Sequence, residues 1–168
     1  GRGGLHPGCE AWALDAYPPV WLLTAYAEPR PSDVEALHSA IRERWAALGA
    51  GADARAVDAG DEAATRALFE SLPAVDHVFI TAGTLVLDGK LAPATEALQP
   101  AMDVRFWGAV HAAKYAAPKM RPGGSLVFMS GTASRRPLPG ASVATASCAA
   151  VDGLARALAL DLAPIRVN

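Results

Sequence analysis

The chain of 168 residues contains little of what marks several specialised classes of protein. It has two cysteines, Cys9 and Cys148, which lie far apart and cannot form a disulfide framework or a zinc site by themselves. Aromatic residues make up 7% of the chain, and the formal net charge is -2, so no basic face for nucleic acid is indicated. We therefore expect two reduced thiols, no metal and no nucleic-acid partner.

Long apolar runs are also lacking. No segment approaches the unbroken run of about 20 apolar residues that a membrane span needs. The first residues, "GRGGLHPGCEAW", do not contain the apolar core of a signal peptide. We expect a cytoplasmic location and no membrane partner. A length of 168 residues is enough for one domain with its own core, and 52% hydrophobic residues are typical of globular proteins, so one globular domain is expected over 1–168.

Strand-like and helix-like segments alternate from residue 20 onward, after a glycine-rich start over 1–19. Short apolar runs predict strands, which are 20–26, 54–58, 76–83, 125–130 and a last one that begins at Ile165. Helical periodicity and composition predict the helices, which are 34–48, 62–72, 95–120 and 142–162. Ser32 and Asp61 are the expected amino-terminal caps of the first two. This alternation, with continuously apolar strands, predicts a parallel sheet covered by helices on both faces.

Parallel sheets of this kind bind ligands at the carboxyl ends of their strands. The residues at those ends are Tyr26, Asp58, "TAG" at 81–83 and "SGTASRRPLPG" at 130–140. These residues are therefore the expected lining of a cleft.

In that order, the segments resemble the short-chain dehydrogenase/reductase family, whose members transfer hydride between a nicotinamide dinucleotide and a carbonyl or alcohol. The resemblance runs from about Ala54 to Asn168 and is strongest in "GGSLVFMSGTASRRPLPGASVATASCAAVDGLARALALDLAPIRVN". It implies a Rossmann-like, doubly wound parallel sheet that is incomplete at both ends. It also implies NADP or NAD as the cofactor and a small carbonyl compound as the substrate.

The resemblance assigns cofactor contacts to Asp58, Ala82 and Gly83, with the Asp58 side chain against the adenine ring. An aspartate at a strand end caps a turn about as often as it binds a ligand, so both roles of Asp58 stay open. A glycine in the position of Gly83 usually permits a turn.

The family's catalytic residues have counterparts of different chemistry in this chain. The tyrosine position falls on Ala144, the lysine position on Cys148, the serine position on Gly131 and the asparagine position on Arg105. Alanine and glycine side chains transfer no proton, and catalytic groups that act as a unit lose their effect together. The resemblance therefore predicts that the usual catalytic residues are absent, and it leaves open whether the chain is an enzyme.

Other side chains near the expected cleft carry hydroxyl, thiol or guanidinium groups. Arg105, Arg135 or Arg136 is able to polarise an oxygen, although hydroxyls and thiols in such segments more often cap or pack. The hydroxyl and thiol groups belong to Ser130, Thr132, Ser134, Ser142, Thr145 and Cys148.

The amino-terminal segment departs from the family pattern. "GRGGLHPGCE" has glycines but no preceding strand, and Glu10 stands where the third glycine of a phosphate-binding loop belongs. Tyr26 occupies the position of the acidic residue that binds the ribose of NAD, and Arg30 is available for the 2′-phosphate of NADP. The pattern therefore favours NADP over NAD.

Three functions remain open. The first is an NAD(P)-dependent oxidoreductase that uses substitute residues. The second is a non-catalytic family member that serves as a binding or oligomerisation module, a homo-oligomer through helices 95–120 and 142–162. The third is a lyase or isomerase that depends on Arg105 or Cys148 and needs no hydride acceptor.

Overall fold

The computed structural model describes residues 12–17, 20–25, 57–83, 86–87 and 89–168, and isolated positions between 35 and 55. The chain divides into two compact units, 1–56 and 57–168, and each is described by itself. The expectation of one domain stays a prediction, because a domain is defined by whether it folds alone.

The first unit contains an antiparallel hairpin. Strand β1 (Trp12–Tyr17) pairs with β2 (Val20–Ala25), so that Trp12 is opposite Ala25 and Tyr17 is opposite Val20. The sequence predicts β2 but not β1, and it expects β2 in the parallel sheet. Within the described residues β2 instead pairs with β1, because two residues are enough to join antiparallel strands and far too few to join parallel ones.

Part of the predicted helix 34–48 is described. The described helical positions are all exposed, and they are Glu35, Ala36, Ser39 and Glu43. Several predicted features lie outside the described residues, namely Ser32, the apolar face of that helix, Tyr26, Arg30 and residues 1–11 of the glycine-rich start.

The second unit contains a parallel sheet in the order β3-β4-β5, which confirms the predicted Rossmann-like architecture. Its strands are β3 (Val75–Ile80), β4 (Met120–Phe128) and β5 (Arg166–Val167). Strand β4 begins five residues before the predicted strand at 125, because it continues through "RPGG" by a bulge opposite Val75 and His77. Gly123 has a φ of +84° at this bulge, a conformation that favours glycine.

The predicted strand at 54–58 is wrong for the residues that are described. Arg55, Val57 and Asp58 have no regular structure. A strand needs a hydrogen-bonded neighbour, and β3 pairs only with β4 among the described residues. The described positions of this segment are therefore irregular.

Two of the helices lie close to the positions predicted from the sequence. Helix α1 (Glu62–Glu70) begins at the predicted cap Asp61, whose carboxylate accepts hydrogen bonds from the N–H groups of Ala63 and Ala64. Helix α5 (Ser142–Asp161) lies where it is expected. Among the described helices α5 is long and apolar enough to cross a membrane by length and composition. It also carries Asp152 and Arg156 near its middle, so this match is weak support for a span.

The predicted helix 95–120 is a series of helical segments that ends at Lys119. The segments are α2 (Thr95–Leu98), α3 (Pro100–Met102), a π-helical turn (Asp103–Trp107), α4 (Gly108–Ala116) and a 3₁₀ turn (Ala117–Lys119). Pro100 stands at the start of α3, where its missing N–H costs little.

The core of the second unit lies between its sheet and the helices. Its buried residues come from α1, α4, α5 and the carboxyl-terminal half of β4, and they are Phe69, Ala109, Ala112, Ala113, Ala116, Leu126, Phe128 and Val151. Half of them are alanines on α4, so this helix backbone lies close to the strands. That close packing fixes the π-helical turn, which precedes α4, relative to the sheet.

Candidate functional site

The carboxyl ends of β3 and β4 lie side by side. The N–H of Met129 donates to the carbonyl of Ile80 at 2.8 Å, just past the last pair of the ladder. The segments that follow, 81–83 and 130–140, therefore leave the sheet at the same edge. Gly140 approaches Gly89 from the second of these segments, and a methyl group on Gly140 would lie 3.6 Å from the Gly89 nitrogen.

Arg105 lies against the turn at 81–83. A methyl group at residue 83 would lie 2.5 Å from Cζ of Arg105, so only the absence of a side chain at Gly83 admits the guanidinium. The Nε of Arg105 is buried and has no hydrogen-bond partner. The sequence places Arg105 at the family's asparagine position, and the structure places a cation there beside a strand end.

Asp58 forms a turn. Its Oδ1 accepts the N–H of Gly60 at 2.8 Å, and its carbonyl accepts the N–H of Asp61 at 3.1 Å. The turn is close to the π-helical segment, since a methyl group on Gly60 would lie 3.8 Å from Asp103. Asp58 therefore has the capping role, while its contact with adenine, like the cofactor contacts of Ala82 and Gly83, stays a prediction.

Gly131, Ala144 and Cys148, to which the sequence resemblance assigns the family's serine, tyrosine and lysine positions, form one packed cluster. A methyl group on Gly131 would lie 2.7 Å from Sγ of Cys148. Ala144 and Cys148 are each 4% exposed, and the Ser130 hydroxyl donates to the carbonyl of Cys148 at 3.0 Å. Because its thiol is buried against Gly131, Cys148 has little accessible surface for a nucleophilic role.

Asp152 joins helix α5 to the loop after β4. The neighbouring Ser130 side chain lowers the pKa of the Asp152 carboxyl, with smaller contributions from Ser134, Arg135 and Arg156. Arg135 Nε lies 3.8 Å from Oδ2 of Asp152. Sequence reasoning missed this residue, although its spacing of four from Cys148 places it one turn along the same helical face.

The remaining predicted candidates take other places. Thr145 has a buried hydroxyl without a hydrogen-bond partner, and Thr132 begins a short 3₁₀ turn that ends at Ser134. Ser142, the first residue of α5, and Arg136 are exposed. These groups do not converge on one point.

A second polar cluster joins α1 to α4. Glu62 Oε1 accepts hydrogen bonds from Lys114 Nζ at 2.7 Å and from the Tyr115 hydroxyl at 2.8 Å. The Lys114 ammonium, by this hydrogen bond, lowers the pKa of Glu62, and Glu62 raises the pKa of Lys114 in return. His111 lies beneath, with Nδ1 3.3 Å from the carbonyl of Ala59. This cluster connects helices and is not part of the strand-end site.

A parallel sheet whose loops converge at the carboxyl ends of its strands is the architecture of Rossmann-like ligand-binding proteins. Comparison with known proteins indicates which family within this class the chain resembles. Residues 22–168 match the family model described as enoyl-(acyl carrier protein) reductase. The short-chain dehydrogenase/reductase malC of Malbranchea aurantiaca is 36% identical over 97 residues, which cover 56% of this chain and 37% of malC.

Two solved structures extend the comparison. A small-chain dehydrogenase in complex with NADPH is 35% identical, with a TM-score of 0.58 over 67% of this chain and 52% of that one. The MalC reductase/Diels-Alderase of Malbranchea aurantiaca is 27% identical, with a TM-score of 0.72 over 83% of this chain and 58% of that one.

The chain belongs to the short-chain dehydrogenase/reductase family. It matches well under two thirds of the length of its curated relatives, 37% of malC among them.

Proposed function

We propose that the chain is part of an NAD(P)-dependent oxidoreductase that acts on a small carbonyl compound or alcohol. The observation that carries this proposal is the meeting of the 81–83 turn and the 130–140 loop at one edge of a parallel sheet. A relative 35% identical to this chain binds NADPH, which supports the same class of cofactor here.

In this proposal Asp58, Ala82 and Gly83 contact the dinucleotide, which supplies the hydride when bound. Arg105 binds an oxygen of the substrate or of the dinucleotide, because its guanidinium lies beside the strand end that carries Gly83. Ala144 and Cys148 contribute packing rather than proton transfer, since each is 4% exposed and neither has the family's phenol or ammonium. The proton then comes from a group other than residues 144 and 148.

A titration with NADPH and with NADH tests the proposal. Energy transfer from the four tryptophans to the bound nicotinamide is expected to saturate. The variant D58A is expected to bind NADPH more weakly, while D76A, which removes an exposed carboxylate paired with Arg121, leaves binding unchanged. A folded sample that produces no energy transfer with either dinucleotide contradicts the proposal.

The second candidate is a non-catalytic module that forms a homo-oligomer through helices 95–120 and 142–162. The carboxyl-terminal half of α5 favours it, because Leu160 is 81% exposed on an apolar helix. Sedimentation velocity of the wild type and of L160K distinguishes an oligomer from a monomer. This candidate predicts an oligomer that L160K dissociates, together with no dinucleotide binding, and a monomeric wild type contradicts it.

A further inference from the structure

Arg105 is a partly buried cation that forms no ion pair with the described residues. Its Nε is inaccessible to solvent and makes no hydrogen bond. The ion pairs found among the described residues involve other cations, namely Arg66, His111, Lys114, Arg121 and Arg135. Removing a charged group from water without pairing it costs free energy.

The surroundings hold this guanidinium at a ligand-binding edge. Arg105 belongs to the π-helical turn, and π-helical turns occur frequently at functional sites. Its guanidinium lies against the backbone of Gly83, directly after β3. An arginine fork presents several parallel donors, which match the oxygens of a carboxylate or a phosphate.

We propose that Arg105 is an anion-binding residue that takes a carboxylate or phosphate oxygen beside Gly83. The proposal extends the proposed function, because it places an anion at the same edge of the sheet. The two sources of such an anion are the diphosphate of the dinucleotide and a carboxylate on the substrate.

Gly83 gives an independent way to disturb this site without removing the charge. Its φ is not in the left-handed region, so alanine suits the backbone, but the new methyl group would overlap the guanidinium. The guanidinium is the flexible end of a long side chain and therefore moves away. G83A is thus expected to displace the cation from the proposed position.

The first experiment measures the thermal unfolding midpoint with increasing inorganic pyrophosphate or acetate at constant ionic strength. The wild type is expected to show a saturable rise with at least one of these anions. R105Q is expected to weaken binding by about tenfold or more, since a charge-assisted hydrogen bond is lost. R105K is expected to retain part of the affinity, because lysine keeps the positive charge but lacks the parallel N–H donors of the guanidinium.

Two further variants test whether an effect of R105Q is specific to the position beside Gly83. R66Q removes the same charge from an exposed pair on α1 and is expected to bind anions as the wild type does. G83A is expected to weaken anion binding as R105Q does, and the double variant G83A/R105Q is expected to bind no more weakly than R105Q. The proposal is overturned if neither anion shifts the wild-type midpoint, or if R105Q keeps the full shift.

NADPH identifies the source of the anion. If the diphosphate is the ligand, pyrophosphate competes with NADPH and R105Q weakens NADPH binding. If a substrate carboxylate is the ligand, acetate binds the NADPH-saturated protein and R105Q leaves NADPH affinity unchanged. Because the anion titrations need no dinucleotide, a protein that binds anions through Arg105 but not NADPH retains this proposal and loses the proposed function.

Discussion

Helices α4 and α5 are both rich in small residues, yet they are packed very differently. Six of the nine residues of α4 are buried, and its polar side chains join it to α1 through Glu62. Helix α5 buries four of its twenty residues, all between Ala144 and Val151. The comparison shows that a run of alanines does not decide what a helix packs against. Neighbouring elements decide it.

The largest effect is expected from enlarging a buried alanine on α4. Ala116 is 0% exposed, so A116L forces extra methyl groups into a filled core and is expected to cost about 1–3 kcal/mol. The matched variant A159L places the same side chain on the exposed part of α5 and is expected to be close to neutral. Urea unfolding measures both, and equal losses would mean that α5 is as closely packed as α4.

The next effect concerns the amino-terminal half of α5, where it faces the loop after β4. G131S introduces a Cβ 2.7 Å from Sγ of Cys148 and is expected to destabilise by about 1–3 kcal/mol. C148A is expected to relieve most of that cost in the double variant, because the opposing sulfur is gone.

The control for this pair is G153S, since a methyl group on Gly153 meets nothing closer than 4.0 Å. It is expected to cause no loss of stability. Additive losses in G131S/C148A would show that residues 131 and 148 are not in contact.

A smaller, pH-dependent effect is expected at Asp152. Its pKa is lowered in the folded protein, so its stabilising contribution is present above the ordinary aspartate pKa and is lost as the pH falls through the folded value. D152N is therefore expected to lower the free energy of unfolding at neutral pH by about 1 kcal/mol or less. The difference from the wild type is expected to shrink below about pH 4. A difference that does not change with pH would assign the effect to packing.

The smallest effect is expected at Glu62, which connects α1 to α4. E62Q removes the charge that holds Lys114, but both side chains are about half exposed and solvent screens the pair. We expect a slight fall in the midpoint at low salt that disappears at high salt. The same fall at high salt would indicate that the hydrogen bonds, rather than the charges, join the helices.

Much of this fold can be predicted from local patterns. The cap Asp61, helix α5 and strands β3 and β5 follow from periodicity and apolar runs over a few residues. The predictions that fail depend on distant partners. Strand 54–58 is absent at the described positions, and β2 pairs with β1, because strand formation depends on the neighbour that is available.

The candidate site also has some features that follow from the sequence and others that depend on tertiary structure. The sequence alone determined that residues 131, 144 and 148 carry glycine, alanine and cysteine, and that Asp58, Ala82 and Gly83 follow strand-like segments. Only the tertiary structure decided that Cys148 packs on Gly131, that Asp152 reaches the loop after β4, and that Arg105 lies unpaired against Gly83. Side-chain identity is a local property, whereas burial and charge pairing are set by residues that are far apart in the chain and meet only when the sheet and helices pack.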